Sequence, residues 1–227
     1  MKVELIPVIE IGYHNQGIES PDFSPYWEYP DDWQTYSDKC YSKAGFTDKF
    51  IPYSKGSGFY RPKDITDSNL IKVVEDHIGT FKDGETEEND LCPLFGGYVL
   101  KIENQDVLFP QCCSDLGDWI YWHSIVKDKK SVYYNGHPAP IVEFDSNSVT
   151  FYCKDDDEDF VPTTNERIVV DLKALEIAYD RLIVELKEFA TRISGLSNKF
   201  SFKVVNDLIE NILIFRNLEL DIKTLEE

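Results

Sequence analysis

The chain has 227 residues, 42% of them hydrophobic, which suffices for a full core and excludes a disordered acidic tail. Forty-two acidic residues against 23 basic ones give a formal charge of −19. That field repels nucleic acid and anionic membrane and draws in basic partners, although its plainest role is solubility. The imbalance sits in the middle of the chain: residues 61–170 carry 22 acids and 10 bases, against 9 and 5 in residues 1–60 and 11 and 8 in residues 171–227.

In chain order, the β-branched run Val3 to Ile11 predicts a strand, and Pro7 moves it toward a sheet edge or a bulge. From about 21 to 62 the periodicity dissolves into an aromatic-rich excursion holding 12 of the chain's 31 aromatic residues, among them Trp27, Tyr29 and Trp33. Such a stretch is too apolar for a linker, so it is expected to pack over the sheet, or to present Tyr and Trp to a partner. Thr66 or Asp67 can cap a helix through Ile78 that places Leu70, Val73, Val74 and His77 on one face, ended by Gly79. The acidic stretch 81–90 has no period and reads as a solvated loop.

In residues 91–126 the period changes from two to about three and a half, with Cys112 and Cys113 adjacent at the change. Tyr98 to Ile102 and Val107 to Phe109 alternate about a turn at 103–106, which predicts a β-hairpin. Pro110 ends it, and Ser114 can cap a helix with Asp115 and Asp118 in its first turn. Ser131 to Asn135 reads as a further strand, and Pro140–Asp145 with Val149–Lys154 as a second hairpin about 146–148. The five acids Asp155, Asp156, Asp157, Glu158 and Asp159 must face water or a cation.

The C-terminus carries Leu172, Leu175, Tyr179, Leu182, Leu186, Phe189 and Ile193 at alternating steps of three and four. That is one apolar stripe on a helix of about 24 residues, roughly 36 Å long, broken at Gly195. Val204, Val205, Leu208, Ile212 and Phe215 suggest a second helix folding back on it. Each stripe residue is worth roughly 1.5 to 3 kcal/mol when buried, so the stripe must pack on the sheet, the partner helix or another subunit. The fold class is α+β: a mainly antiparallel sheet built from hairpins, short helices and a C-terminal antiparallel helical hairpin. Residues 1–170 form the α+β domain and 171–227 the helical hairpin packed on it.

Five cysteines without framework spacing (Cys40, Cys92, Cys112, Cys113, Cys153), behind an N-terminus with neither a charged n-region nor an h-region, point to the reducing cytoplasm. No apolar run approaches the roughly 20 residues that span a bilayer. Cys92, Cys112, Cys113 and Cys153 number enough for zinc, but no C-x₂-C knuckle exists and adjacent cysteines rarely both ligate one tetrahedral ion. Cys113 at a helix start, followed by His137 with Glu143 or Asp145 to orient it, has the loose outline of a cysteine hydrolase. Against it, Asp115 and Asp118 would raise that thiol and no Lys or Arg lies beside it. The 155–159 run lacks the glycine of a calcium loop, and no phosphate-binding, zincin or serine-hydrolase motif occurs. No cofactor is expected.

The stretch GGYVLKIENQDVLFPQCCSDLGDW, residues 96–119, resembles segments of small acidic immunity proteins of bacterial polymorphic toxin systems. The likeness covers about thirty of the 227 residues and brings no set of functional residues with it. It implies a protein that binds and neutralises a cognate toxin. Independently, an acidic protein with aromatic loops suits the plugging of a basic nuclease site, because carboxylates can mimic phosphates. The sequence reading is therefore a non-enzymatic cytoplasmic binding protein, with a basic protein as partner, no nucleic acid and no membrane, and a monomer favoured. Asp155 to Asp159 would capture the partner electrostatically, and Trp27, Tyr29 and Trp33 would anchor it. The alternatives are the Cys113–His137 hydrolase and an assembly module that associates through the C-terminal helices.

Overall fold

The computed structural model describes residues 1–79, 91–201 and 213–215. Among them helices and antiparallel sheets combine in an α+β fold. Four strands form one sheet: β1 (Val3–Glu10), β2 (Phe59–Tyr60), β3 (Gly96–Ile102) and β4 (Gln105–Leu108), in the order β2-β1-β3-β4. Three more, β5 (Ile141–Phe144), β6 (Ser148–Tyr152) and β7 (Arg167–Asp171), form a second sheet in sequence order.

Strand β1 is apolar on both faces, and the packing explains why. Val3, Leu5 and Ile9 enter the main core with Tyr98 and Leu100 of β3, while Ile6, Val8 and Val99 turn the other way into a smaller cluster. Tyr53, Phe59 and Phe109 cover that cluster. Near-continuous hydrophobicity is the mark of a strand buried on two sides. Pro7 sits within the β1–β3 ladder, yet β2 pairs only with Ile9 and Glu10, so most of the other margin of β1 meets no described strand and a proline is tolerated.

The first hairpin is tighter than the sequence suggests. Its turn is Glu103-Asn104 alone, both residues at positive φ (49° and 68°), as a two-residue hairpin turn requires. Gly96 is at φ 137°, and a Cβ there would lie 2.1 Å from the Val8 carbonyl oxygen, so only glycine permits the close approach of β3 to β1.

Helix α1 (Pro30–Lys43) corrects the expectation of an irregular excursion over 21–62. Pro30 occupies its first turn with Asp31 and Asp32, Lys43 its last, and Tyr36, Ser37, Cys40 and Tyr41 form its buried face. Aromatic residues are poor helix formers, and no side chain caps its start, so tertiary packing holds it. The Tyr41 hydroxyl donates to the Ile11 carbonyl at 2.8 Å and accepts from the Tyr60 hydroxyl at 2.9 Å, tying α1 to the end of β1. Helix α2 (Asp67–His77) follows the sequence reading, with Thr66 as N-cap accepting from the Asn69 amide. His77 contacts the Cys92 carbonyl oxygen at 2.9 Å and meets Phe95 edge-on.

The capping expected of Ser114 belongs to Asp115. Its carboxylate accepts from the Gly117 amide at 2.7 Å, and Asp118 accepts from the Asp115 amide at 3.0 Å, a reciprocal box that opens a 3₁₀ turn over Leu116–Asp118. Ser114 instead donates to the Gln111 and Gly96 carbonyls. The turn runs into helix α3 (Trp119–His123) and a π-helical turn that ends at Lys129 in the left-handed region. Ser131 to Asn135 is not a strand: Tyr133 is drawn into the core against Trp122 (4.9 Å) and Phe151 (5.3 Å). Strand β7, which no run in the sequence announced, pairs along the length of β6 and buries Ile168 and Val170.

Asp171 ends β7 and caps the long helix α4 (Leu172–Gly195), accepting from the Ala174 amide at 2.8 Å. Leu175, Tyr179, Leu182, Leu186, Phe189 and Ile193 are buried in the main core with β1, and Leu172 packs at its margin. The stripe is thus satisfied within the chain. Of the five residues expected on the face of the second helix only Phe215 falls among the described residues, and its carbonyl oxygen accepts from the Trp119 indole at 3.3 Å. The rest of that helix and the 81–90 loop lie outside them. No described helix is long and apolar enough to cross a membrane.

Truncating the stripe should therefore separate its two sides. Leu186→Ala, fully buried, is expected to cost about 2 to 5 kcal/mol in denaturant unfolding. Val184→Ala, 56% exposed, should stay within about 0.5 kcal/mol.

Candidate functional site

Where β1 ends, the aromatic layer on its second face ends too, and a cavity of about 680 Å³ opens. Glu10 comes from the strand end and His14 from the loop after it. Tyr26 and Trp27 arrive before α1, Trp33 and Ser37 from α1 itself, and Phe59 from β2. Gln111 and Cys112 follow β4, His137 and Pro138 precede β5, and Glu158, Asp159 and Val161 arrive from the acidic loop. Segments more than 100 residues apart meet here.

Hydrogen bonds hold these loops to one another. The Trp33 indole donates to the Phe23 carbonyl at 2.9 Å and closes the loop before α1. Gln111, only 7% exposed, joins two segments with its amide group: Nε2 donates to the carbonyls of Phe109 (2.9 Å) and Val161 (3.1 Å), and Oε1 accepts from the Val161 amide at 2.9 Å. The Gln111 amide in turn donates to Asn135 O at 2.7 Å, and the His137 amide to Cys112 O at 2.9 Å. Gly136, at φ 99°, lets these strands touch, since a Cβ would lie 2.4 Å from the Gln111 carbonyl oxygen. The acidic loop is thereby pinned beside β1.

Three carboxylates, Glu10, Glu158 and Asp159, line the cavity, and among the described residues no lysine or arginine does. Glu10 keeps an exposed side chain, yet the concave protein around it raises its carboxyl above the ordinary range by removing solvent. Burial lowers His14 below the usual imidazole value. The Cys112 thiol is raised, first by its contact with Cys113, then by burial, and further by the charges of Glu10 and Glu158.

Of the residues singled out by sequence, Trp27, Trp33, Cys112, His137, Glu158 and Asp159 line this cavity. Tyr29 stacks on Phe23 at 5.2 Å and is not among the lining residues. Asp155, Asp156 and Asp157 are exposed outside it, and the Asp155 carboxylate accepts from the amides of Asp157 (2.9 Å) and Glu158 (3.2 Å), shaping the loop. Glu10, Tyr26 and Gln111 were not legible as site residues. Glu10 reads as the polar end of a strand, and the part played by Gln111 exists only once Val161 is beside it.

The two adjacent thiols meet each other. Cys113, at φ 70°, has its sulfur 3.0 Å from that of Cys112. His137 meets Cys112 through the main chain, and its ring lies edge-on to Tyr134 at 5.4 Å. Glu143 is exposed on β5, and Asp145 shapes the 146–148 turn through the Ser146 amide and the Ser148 carbonyl. Among the described residues no three His, Cys, Asp or Glu side chains gather as a metal site.

A larger hollow of about 820 Å³ runs along the outer side of α4 past Ile177 and Val184. It is the weaker candidate, because Glu185 is already paired with Arg61 at 3.1 Å and Arg192 with Asp67 at 2.7 Å. No family model matches the chain, and no curated protein or solved structure is significantly similar to it.

Two outcomes follow from this geometry. Gln111→Ala should destabilise the protein by about 1 to 3 kcal/mol through the unpaired Val161 groups, and speed hydrogen exchange at the Val161 amide above all others in residues 155–162. Cys92, Cys112 and Cys113 are exposed, whereas Cys40 and Cys153 are buried, burial pushing the Cys153 thiol up to about 12. A disulfide reagent should therefore titrate three thiols in the folded protein and five after unfolding. Because a raised value means less thiolate at a given pH, Cys112 should label slowly at neutral pH and faster as pH rises above the ordinary thiol range.

Proposed function

We propose that this chain is a non-enzymatic binding protein of the cytoplasm that neutralises a basic protein, in the manner of an immunity-type inhibitor of a toxin or nuclease. The observation that carries this reading is the meeting of Trp27 and Trp33 with Glu10, Glu158 and Asp159 around one cavity that no described lysine or arginine lines. Tryptophan supplies large contact area at low entropic cost, which is why it concentrates at the energetic centres of interfaces. Carboxylates around such a centre steer a basic partner toward it and mimic the phosphates of a nuclease substrate. The exposed Asp155, Asp156 and Asp157 extend the same negative field outward from the cavity lip.

Affinity capture from lysate of the native host, at low and moderate salt, tests the reading. A single basic protein recovered stoichiometrically and released as salt rises is the expected result; recovery of none, in a host that expresses such candidates, contradicts it. With that partner in hand, Glu158→Gln with Asp159→Asn should slow association about tenfold or more and flatten its salt dependence. Trp33→Ala should act mainly on dissociation. Unchanged kinetics in both variants would remove this face from the interface.

A further inference from the structure

We infer that the cavity at the end of β1 is a receptor for one organic cation, a guanidinium or alkylammonium group on a slender chain, held between the Trp27 and Trp33 rings and the carboxylates of Glu10, Glu158 and Asp159. This deepens the reading of the face as partner-binding by naming what the partner inserts.

The fold itself supplies the comparison. In three other places among the described residues a lysine of the chain itself joins an aromatic ring to a carboxylate. Lys101 bonds Asp106 at 3.1 Å and lies 5.5 Å from the centre of the Tyr53 ring, whose hydroxyl also donates to Asp106. Lys72 bonds Asp76 at 2.9 Å and lies 5.9 Å from the Tyr13 ring, which donates to the same carboxylate. Lys127 bonds Asp180 at 2.9 Å and lies 5.6 Å from Tyr179. Rings with a negative face and carboxylates attract the same ligand, a cation.

The cavity repeats that combination on a larger scale and without the lysine. Tyr26, Trp27, Trp33 and Phe59 form walls, three carboxylates contribute charge, and no described lining residue is lysine or arginine. His14 does not replace them, because burial favours its neutral form. His137 has its ring against Tyr134. The volume, about 680 Å³, is within the range of about 300 to 1,000 Å³ usual for small-ligand sites and so admits a side chain with its stem. Carboxylates around a concave, aromatic-walled space attract a cation, whereas a neutral group gains nothing from that field and an anion is repelled by it.

The group could be an arginine or lysine of a protein or a free polyamine, and simple probes distinguish these. N-acetyl-arginine amide, its neutral isostere N-acetyl-citrulline amide, and putrescine are titrated into the full chain while the indole N–H resonances of all four tryptophans are followed by NMR. The arginine amide is expected to shift Trp27 and Trp33 saturably and to leave the buried Trp122 unmoved, with citrulline at least tenfold weaker. Glu158→Gln with Asp159→Asn should weaken arginine-amide binding at least tenfold, while the charge-matched control Glu143→Gln with Asp145→Asn, at residues that do not line the cavity, leaves it unchanged. Tighter binding of putrescine than of the arginine amide supports the cation site and assigns it to free amines, against the basic-protein partner. Equal binding of citrulline, equal loss in the control variant, or no shift with any cation overturns the inference. In the last case a basic protein still captured from lysate would leave the partner reading standing without this site.

Discussion

Strand β1 lies between two hydrophobic layers, and covering its second face governs most of the remaining architecture. The main core with α4 takes one side. The other side presents Ile6 and Val8, which need a lid, and the chain supplies it from Tyr53, Phe59 and Phe109. Carrying Tyr53 and Phe59 there requires residues 21–62 to cross the sheet end, and Tyr41 bonding to Ile11 fixes that crossing. The lid is thin and short. Where it stops, Glu10 replaces the apolar residues of the same face and the cavity begins.

The cavity is thus a consequence of incomplete coverage, given shape by a few polar contacts. Gln111 is the clearest of them, since one buried side-chain amide joins the exit of β4 to the acidic loop. A buried polar group is costly unless all its partners are present, so such a clamp is stable only in one arrangement of the loops it joins. It brings Glu158 and Asp159 to the same cavity as Trp27 and Trp33, although the pairs are more than 120 residues apart in the chain.

How far the sequence revealed this depended on the range over which each residue's role is decided. The stripe of α4 and the two hairpins are local patterns over many residues and were legible with near-correct limits. Helix α1 was not, because Trp33, Tyr36 and Tyr41 are weak helix formers and its stability comes from contacts with Ile11 and Tyr60. Ser131 to Asn135 carries the composition of a strand, but Tyr133 is committed to the Trp122–Phe151 cluster. At the site, residue type marked Trp27, Trp33, Glu158 and Asp159, yet nothing local indicated that they meet. Glu10 and Gln111 escaped notice because their contributions are wholly tertiary.

The most direct test of an anionic, aromatic-walled cavity is collisional quenching of tryptophan fluorescence by caesium and by iodide at matched ionic strength. Trp119 and Trp122 are 8% and 1% exposed, so the quenchable emission comes from Trp27 and Trp33. With each quenching constant divided by that of free N-acetyl-tryptophan amide, caesium should exceed iodide several-fold, and the difference should collapse when Glu10, Glu158 and Asp159 are neutralised together but persist when Glu143, Asp145 and Glu188 are. Equal normalised quenching by the two ions in the unaltered protein, or the same collapse in both variants, would contradict the existence of a local anionic cavity around these rings.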